Sequence, residues 1–341
     1  MNTTMKAWQL SSGTTAGLEL VDRPTLQPRA GEVLFKLSAA SLNYRDLLIR
    51  SGNYGVAAGP RPTIPASDGV GAIVAVGASV TRWKVGDRVA GAFRPKWLDG
   101  ELTREGSEWA LGAGAVDGIL ADYVALPETG VVAVPAHLTD EEAAALPCAA
   151  VTAWNAVFVA HDTKPGDTVL ILGTGGVSLF ALQFAKLAGA RVILTSSDDA
   201  KLERGRALGA DETLNYRTHA DWPERVLSLT GGRGVDLAVD VVGGKGLNAV
   251  VQAARFGGTV ALIGVLEGFE GPVSTGQILR KGVRIQGISV GSVAMFESMN
   301  RAIAQARLRS VIDRVFPFEE VPAAYEHLAS GKHFGKVVIR R

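Results

Sequence analysis

The stretch that most constrains this 341-residue chain is Thr168–Ser178, TVLILGTGGVS. An apolar run of strand length stops at Gly173, passes Thr174, and meets Gly175 and Gly176 before a helical pattern opens at Val177. Leu179, Phe180, Leu182, Phe184 and Leu187 then give a helix-like apolar distribution. A chain turns this sharply from strand to helix where side chains are missing. Five more apolar runs follow: Arg191–Thr195, Glu212–Tyr216, Val235–Val241, Thr259–Ile263 and Val283–Ile288. Helix-length segments such as DDAKLERGRALGA separate them. This alternation predicts an α/β domain on a doubly wound, six-stranded parallel sheet with helices on both faces.

The turn also carries chemistry. Backbone without side chains can approach a pyrophosphate, and the helix N-terminus offers N–H donors and partial positive charge. Gly173, Thr174, Gly175, Gly176 and Val177 are therefore expected to bind a dinucleotide. Ser178 stands where a third glycine is usual, a small residue where helix and strand pack closely. The second strand decides between cofactors. It ends in Ser196 and Ser197 with Lys201 soon after, which leaves room and charge for a 2′-phosphate and favours NADPH over NADH. Asp198 and Asp199 oppose that reading, unless they cap the next helix.

Composition excludes several other functions. Hydrophobic residues make up 47% and charged residues 20%, an ordinary soluble globular balance with a core to bury. The net charge is +1 with no basic block, so neither nucleic acid nor an anionic membrane is expected as a partner. Cys148 is the one cysteine, too few for an internal disulfide or a four-cysteine zinc site, and consistent with a reducing, cytoplasmic setting. MNTTMKAWQL has no apolar core of signal-peptide length. Ala143–Ala160, broken by Pro147 and holding Thr152 and Asn155, reads as a buried helix rather than a membrane span.

The remainder reads differently from the middle. Short runs at Met5–Leu10, Glu32–Ala39, Val70–Val76 and Asp87–Ala92, punctuated by Gly, Pro and Asp, predict a β-rich first third. Phe93–Ile119, rich in glycine and charge, reads as a long surface loop. After Gly291 come a helix (Ala294–Gln305), a strand (Val311–Phe316), a helix (Val321–Ser330) and a last strand in FGKVVIRR, expected to rejoin the first domain. The expected domains are residues 1–149 with 290–341, and residues 150–289.

NYRDLLIRSGNYG, PASDGVGAIVAVG, KVGDRV, LPCAAVTAWNAV, GTGGVS, LGADETLNYR and FGKVVI together resemble the medium-chain dehydrogenase/reductase superfamily, across nearly the whole chain. The resemblance implies a GroES-like, partly open β-barrel catalytic domain, split in sequence around a Rossmann domain. It also implies homodimers joined through Rossmann edge strands, here Val283–Ser289. Zinc alcohol dehydrogenases of the superfamily hold their metal with Cys, His and a second Cys, with Glu beside the His. Here Asn43 stands at the first position and Ser67-Asp68 at His-Glu, and only Cys148 matches. One thiolate and a distant carboxylate do not make a three-ligand site, so no zinc is expected. The five histidines are scattered and offer no i, i+4 metal pair.

The chain is thus similar to the zinc-free branch of NADPH quinone oxidoreductases and enoyl reductases. Asn43 and Asp46 match a quinone reductase pattern in which the Asn lies near the nicotinamide. SGNYG before a Pro-rich stretch resembles the 2-enoyl thioester reductases, where the tyrosine at the Tyr54 position is implicated in catalysis. The resemblance puts Tyr216 by the adenosine phosphate, Lys336 near the cofactor phosphates, and Thr152 at the nicotinamide. Val242, Gly264, Val265, Ser289 and Val290 follow strand ends, where open α/β sheets bind ligands. Without a metal Lewis acid, hydride transfer favours quinones, enones and enoyl thioesters, which spread charge by conjugation. Tyr54 is the first candidate proton donor or oxyanion partner and Tyr44 the second, each weighed against a packing role. Two rival expectations stand beside this one: an alcohol dehydrogenase, and a non-catalytic NADPH-binding or scaffold protein.

Overall fold

In the computed structural model, which describes residues 3–11, 17–55, 62–114 and 116–341, the chain divides into two units. Unit 1 is Met1–Val151 with Gly291–Arg341, and unit 2 is Thr152–Val290. Among the described residues no helix is long and apolar enough to cross a membrane.

Unit 2 alternates strand and helix throughout: β1 Thr168–Leu172, α1 Gly176–Leu187, β2 Arg191–Ser196, α2 Asp199–Ala207, β3 Glu212–Asn215, α3 Trp222–Leu229, β4 Val235–Asp240, α4 Leu247–Ala253, β5 Ala254–Leu262, α5 Thr275–Lys281 and β6 Arg284–Gly287. The strands form one sheet in the order β3-β2-β1-β4-β5-β6, with every neighbouring pair parallel. All residues of β1 and β4 are buried, as strands covered on both faces must be. Leu170, Ile193, Ala238 and Val260 join Val226, Val250 and Val251 of the helices in one core cluster. The order reverses between β1 and β4, and such a switch point opens a crevice at the carboxyl ends of the strands. β5 starts five residues earlier than the apolar pattern suggests, because α4 runs straight into it at Ala254.

Unit 1 is built on a mixed, mainly antiparallel seven-stranded sheet around one long strand, Glu32–Leu42, with Ile312–Pro317 running parallel to Lys336–Arg340. One edge of that strand takes Asp68–Val76. The other is divided: residues 32–36 pair with Tyr123–Pro127, and residues 39–42 pair with Lys336–Arg340. Arg88–Gly91 and Val131–Ala133 extend the sheet at one end, and Ile312–Pro317 at the other. Phe35, Leu37, Leu42, Ile119, Val337 and Ile339 make its core, with Phe316, Phe318 and Tyr325 packed on them.

Residues 93–119 depart from the surface loop expected of them. Phe93, Trp97, Leu111 and Ile119 are buried, and a short helix, Arg104–Glu108, interrupts the segment. Glycine and charge dominate the composition of this segment, yet Leu111 and Ile119 join the core of the sheet. Residues 146–159 are helical, as the apolar run suggests, but wind as π-helix at Leu146–Ala150 and Asn155–Val159.

Candidate active site

In unit 2 the residues expected to hold a dinucleotide gather at the carboxyl ends of the strands. Gly173 leaves β1 with φ +75°, a conformation costly for any residue with a Cβ. Gly175 caps α1 in extended conformation, and a Cβ built there meets nothing within 4 Å. The first turn of α1 thus presents N–H groups that have no intrahelical partner to an open space, the kind of end that favours an anion. Ser178 explains itself: its hydroxyl donates to Leu172 O at 2.7 Å and ties helix to strand.

At the end of β2, Ser196 is buried and its Oγ accepts from Asp198 N at 3.3 Å. Asp198 caps α2, its Oδ1 accepting from Lys201 N at 3.2 Å. Asp199 is also committed, accepting from Asn215 Nδ2 at 2.8 Å. Ser197 and Lys201 are half-buried beside them, and Tyr216, exposed, donates its N–H to Ser196 O. Val242 and Gly243 donate their N–H groups to Asp240 Oδ1 at 2.8 and 3.0 Å. Burial raises the Asp240 carboxyl above the usual range. Gly264 packs directly on Val241, leaving no room for a Cβ, and Val265 O accepts from Gly268 N. Thr152 is buried. Ser289 leads into Val290, a β-branched residue at φ +65°. Such strain costs about 1–3 kcal/mol and clusters at functional sites. Asn155 Nδ2 holds the Val290 carbonyl at 2.7 Å, a partner the sequence reading did not find.

In unit 1 the second group assembles at the ends of three adjacent strands. The pairing Val337↔Leu42 puts Lys336 opposite Asn43, and Ser41↔Asp68 brings the third strand alongside. Lys336 Nζ donates to Leu42 O at 2.7 Å and to Asn43 Oδ1 at 2.6 Å, and lies 3.8 Å from Asp68 Oδ2. The resemblance suggested cofactor phosphates for this lysine, but its ammonium is buried inside unit 1. Asp68 is fully buried and accepts from Ser67 Oγ at 2.6 Å, Cys148 N at 3.2 Å and Ser41 Oγ at 3.5 Å.

Helix Tyr44–Arg50 starts from Asn43, whose N–H donates to Asp46 Oδ2 at 2.8 Å. Burial pushes the Asp46 carboxyl up to about 6, against the pull of Arg45 beside it. Arg45 is buried between two rings, 5.0 Å from the centre of Tyr54 and 4.6 Å from that of Phe93. Its Nε donates to Tyr54 Oη at 3.3 Å and its Nη1 to Leu111 O at 2.9 Å. Tyr54 is half-buried, whereas Tyr44 is 41% exposed at the start of its helix. The structure thus joins Asn43 and Tyr54 to one buried network and leaves Tyr44 outside it. Residues 56–61 of the Pro-rich stretch after Tyr54 lie outside the described residues. The sequence reading missed Arg45 and Phe93; the only available signal was an arginine inside NYRD, next to the two residues already singled out.

These residues do not fit a catalytic zinc of the three-ligand kind. Asn43 Oδ1 already accepts from an ammonium, and both Asp68 oxygens are engaged. The Cys148 backbone N–H is held by Asp68, and burial pushes its thiol up to about 12. A lysine cation beside the same groups opposes a dication electrostatically.

Two family profiles match the chain. The alcohol dehydrogenase GroES-like domain matches residues 29–136, and the zinc-binding dehydrogenase profile matches residues 176–305. A zinc-type alcohol dehydrogenase-like protein of Schizosaccharomyces pombe is 45% identical over 316 residues, covering 91% of each chain. A 2-methylene-furan-3-one reductase of Solanum lycopersicum is 32% identical, covering 98% of this chain and 79% of its own. Among solved structures, a candidate alcohol dehydrogenase of Sinorhizobium meliloti superposes with a TM-score of 0.94 at 43% identity, covering all of both chains. An NAD-dependent alcohol dehydrogenase superposes with a TM-score of 0.89 at 36% identity, covering 99% of this chain and all of its own.

Proposed function

The chain belongs to the medium-chain dehydrogenase/reductase superfamily of oxidoreductases, and from that premise we propose that it is an NADPH-dependent, zinc-independent reductase of an activated double bond or quinone. The observation that carries this reading is the network at and beside the positions where the resemblance sets zinc ligands. Asn43, Asp68 and Cys148 are tied to each other and to Lys336 and are not disposed as metal donors. A reductase without a Lewis acid needs an acceptor that delocalises charge itself, as quinones, enones and enoyl thioesters do. The enone named in the tomato relative supports that class.

A nicotinamide cofactor, when bound, supplies the hydride. The chain's own residues hold the cofactor and manage charge on the acceptor. The Gly173–Gly176 turn takes the pyrophosphate, and Ser196, Ser197, Lys201 and Tyr216 surround the 2′-phosphate. Asp198 is engaged by the backbone of α2 and Asp199 by Asn215, which counts against either as the ribose ligand of an NADH site. Tyr54 accepts from Arg45, so the phenol's own hydrogen is left to donate to the oxygen that becomes negative as hydride reaches the conjugated carbon. A proton from solvent then completes the reduced product. We further propose a homodimer paired along β6, the outer strand of the unit 2 sheet.

The test is NADPH oxidation at 340 nm by metal-stripped protein over quinones, enones and enoyl thioesters, with Tyr54→Phe alongside. Turnover is expected in the wild type, and the variant is expected to fall by about 100-fold, the scale of one lost proton donor or oxyanion donor. Full turnover by Tyr54→Phe removes Tyr54 from the chemistry. Tighter binding of NADH than of NADPH at matched ionic strength overturns the cofactor assignment. The relatives named as alcohol dehydrogenases favour a second reading, oxidation of alcohols. Close to one equivalent of bound zinc, with turnover of alcohols, would establish it.

A further inference from the structure

We propose that Lys336 is a positioning residue: a fixed internal cation that orients the Asn43 carboxamide so that its NH2 group donates to the anionic oxygen of the reduced acceptor. An ammonium only donates, so the 2.6 Å contact from Lys336 Nζ fixes Asn43 Oδ1 toward the lysine. The amide nitrogen must then face the other way. There Asn43 Nδ2 is buried and meets no acceptor among the described residues. A buried NH2 without an acceptor is costly, and a native fold retains one where a ligand supplies the missing partner. The cost is sustained by the surrounding framework. Leu42 O takes a second Lys336 hydrogen, and Asp68, 3.8 Å away, balances the charge. Asn43 N–H is in turn held by Asp46.

The arrangement assigns Lys336 a task different from phosphate binding. Its side chain is 3% exposed, and its ammonium is spent on unit 1 itself. The ligand class for the opened NH2 is an enolate or phenolate oxygen, the charge that arises when a conjugated acceptor receives hydride. That assignment of ligand rests on the reductase reading, whereas the orientation of Asn43 by Lys336 does not.

The experiment separates the two. Lys336→Met, Lys336→Arg and Asn43→Asp are compared with wild type for NADPH affinity by fluorescence titration and for kcat and KM on the best acceptor. The Asn43 side-chain NH2 signals, assigned by their loss in Asn43→Asp, are followed by nuclear magnetic resonance. Lys336→Met is expected to keep NADPH affinity within about threefold, to lose about 30-fold in kcat, and to shift or broaden the Asn43 NH2 signals. Loss of one transition-state donor accounts for that scale. Lys336→Arg, which still donates to Asn43, is expected to recover most of the turnover. Asn43→Asp keeps the lysine contact but has no NH2, and is expected to lose turnover to a similar degree. Combined with Lys336→Met it should lose little more, because the two act as one unit. NADPH affinity weakened tenfold or more in Lys336→Met would make the lysine a phosphate ligand and overturn the proposal. Unmoved Asn43 NH2 signals would overturn it as well. A wild type silent on every acceptor defeats the reductase reading alone, since affinity and NH2 signals still decide what Lys336 does. Where Lys336→Met fails to fold, Lys336→Arg and Asn43→Asp carry the same comparison.

Discussion

Two glycines in one turn should fail in opposite ways when given a methyl group. At Gly173 the backbone sits at φ +75°, and a Cβ would find Ser178 Oγ and Val241 Cγ2 at an ordinary 3.7 Å. The cost of Gly173→Ala is therefore conformational, about 1–2 kcal/mol for an L-residue in the left-handed region. For a unit of this size that lowers Tm by about 3–6 °C. At Gly175 φ is −79° with extended ψ, open to any residue, and no atom lies within 4 Å of a Cβ. Gly175→Ala should leave Tm unchanged or raise it slightly, since alanine narrows the unfolded ensemble. Its methyl group, however, stands in the open space before α1 that a pyrophosphate must enter to reach the backbone. A charge-assisted hydrogen bond lost there is worth about 1.5–3 kcal/mol, so NADPH should bind about 10- to 100-fold more weakly. Thermal melts without cofactor and fluorescence titration with NADPH read the two effects separately. Wild-type affinity in Gly175→Ala would refute the argument, and so would a Tm loss as large as that of Gly173→Ala.

Asn155→Ala removes the 2.7 Å hold on the Val290 carbonyl and should lower kcat about 2- to 10-fold, the worth of one hydrogen bond. Adding Val290→Gly should recover it, because glycine adopts φ +65° unaided; a double variant no better than the single would remove the role of strain. The Asp46 carboxyl titrates near 6 in the fold, against 3.8 for an ordinary aspartate. The native state therefore binds the proton more tightly, and stability from this group is present below pH 4 and lost as pH rises through about 6. Asp46→Asn should abolish that loss, gaining on the order of 2–3 kcal/mol over wild type between pH 4 and pH 8 in urea melts. Parallel pH dependence in the two proteins would show that Asp46 does not carry it.

The α/β unit was legible because its signals are local. Six apolar runs, a glycine turn and the spacing between them lie within one continuous stretch, and burial on both sheet faces makes each run stand out. The cap at Asp198 was legible for the same reason, since it and the N–H it accepts are three residues apart, whereas Asp199, read with it as a cap, instead accepts from Asn215. Residues 93–119 were misread because glycine and charge dominate their composition, while a few scattered side chains, Phe93, Trp97, Leu111 and Ile119, decide their burial.

The unit 1 network shows where such reading stops. The resemblance to zinc alcohol dehydrogenases sets Asn43 at the first cysteine position and Ser67-Asp68 at the His-Glu pair, because each substitution is visible at its own position. It cannot reveal what fills the charge vacancy, because the answer lies 293 residues from Asn43. Only the register of three strands, Val337↔Leu42 beside Ser41↔Asp68, brings Lys336 there. One trace of it does exist in the chain: a lysine inside the apolar strand of FGKVVI, where a buried position calls for a partner. A buried carboxylate with no cation near it would be an uncompensated charge, and Lys336 on a strand two places along the sheet supplies that cation. On that argument Asp68 and Lys336 stand or fall together.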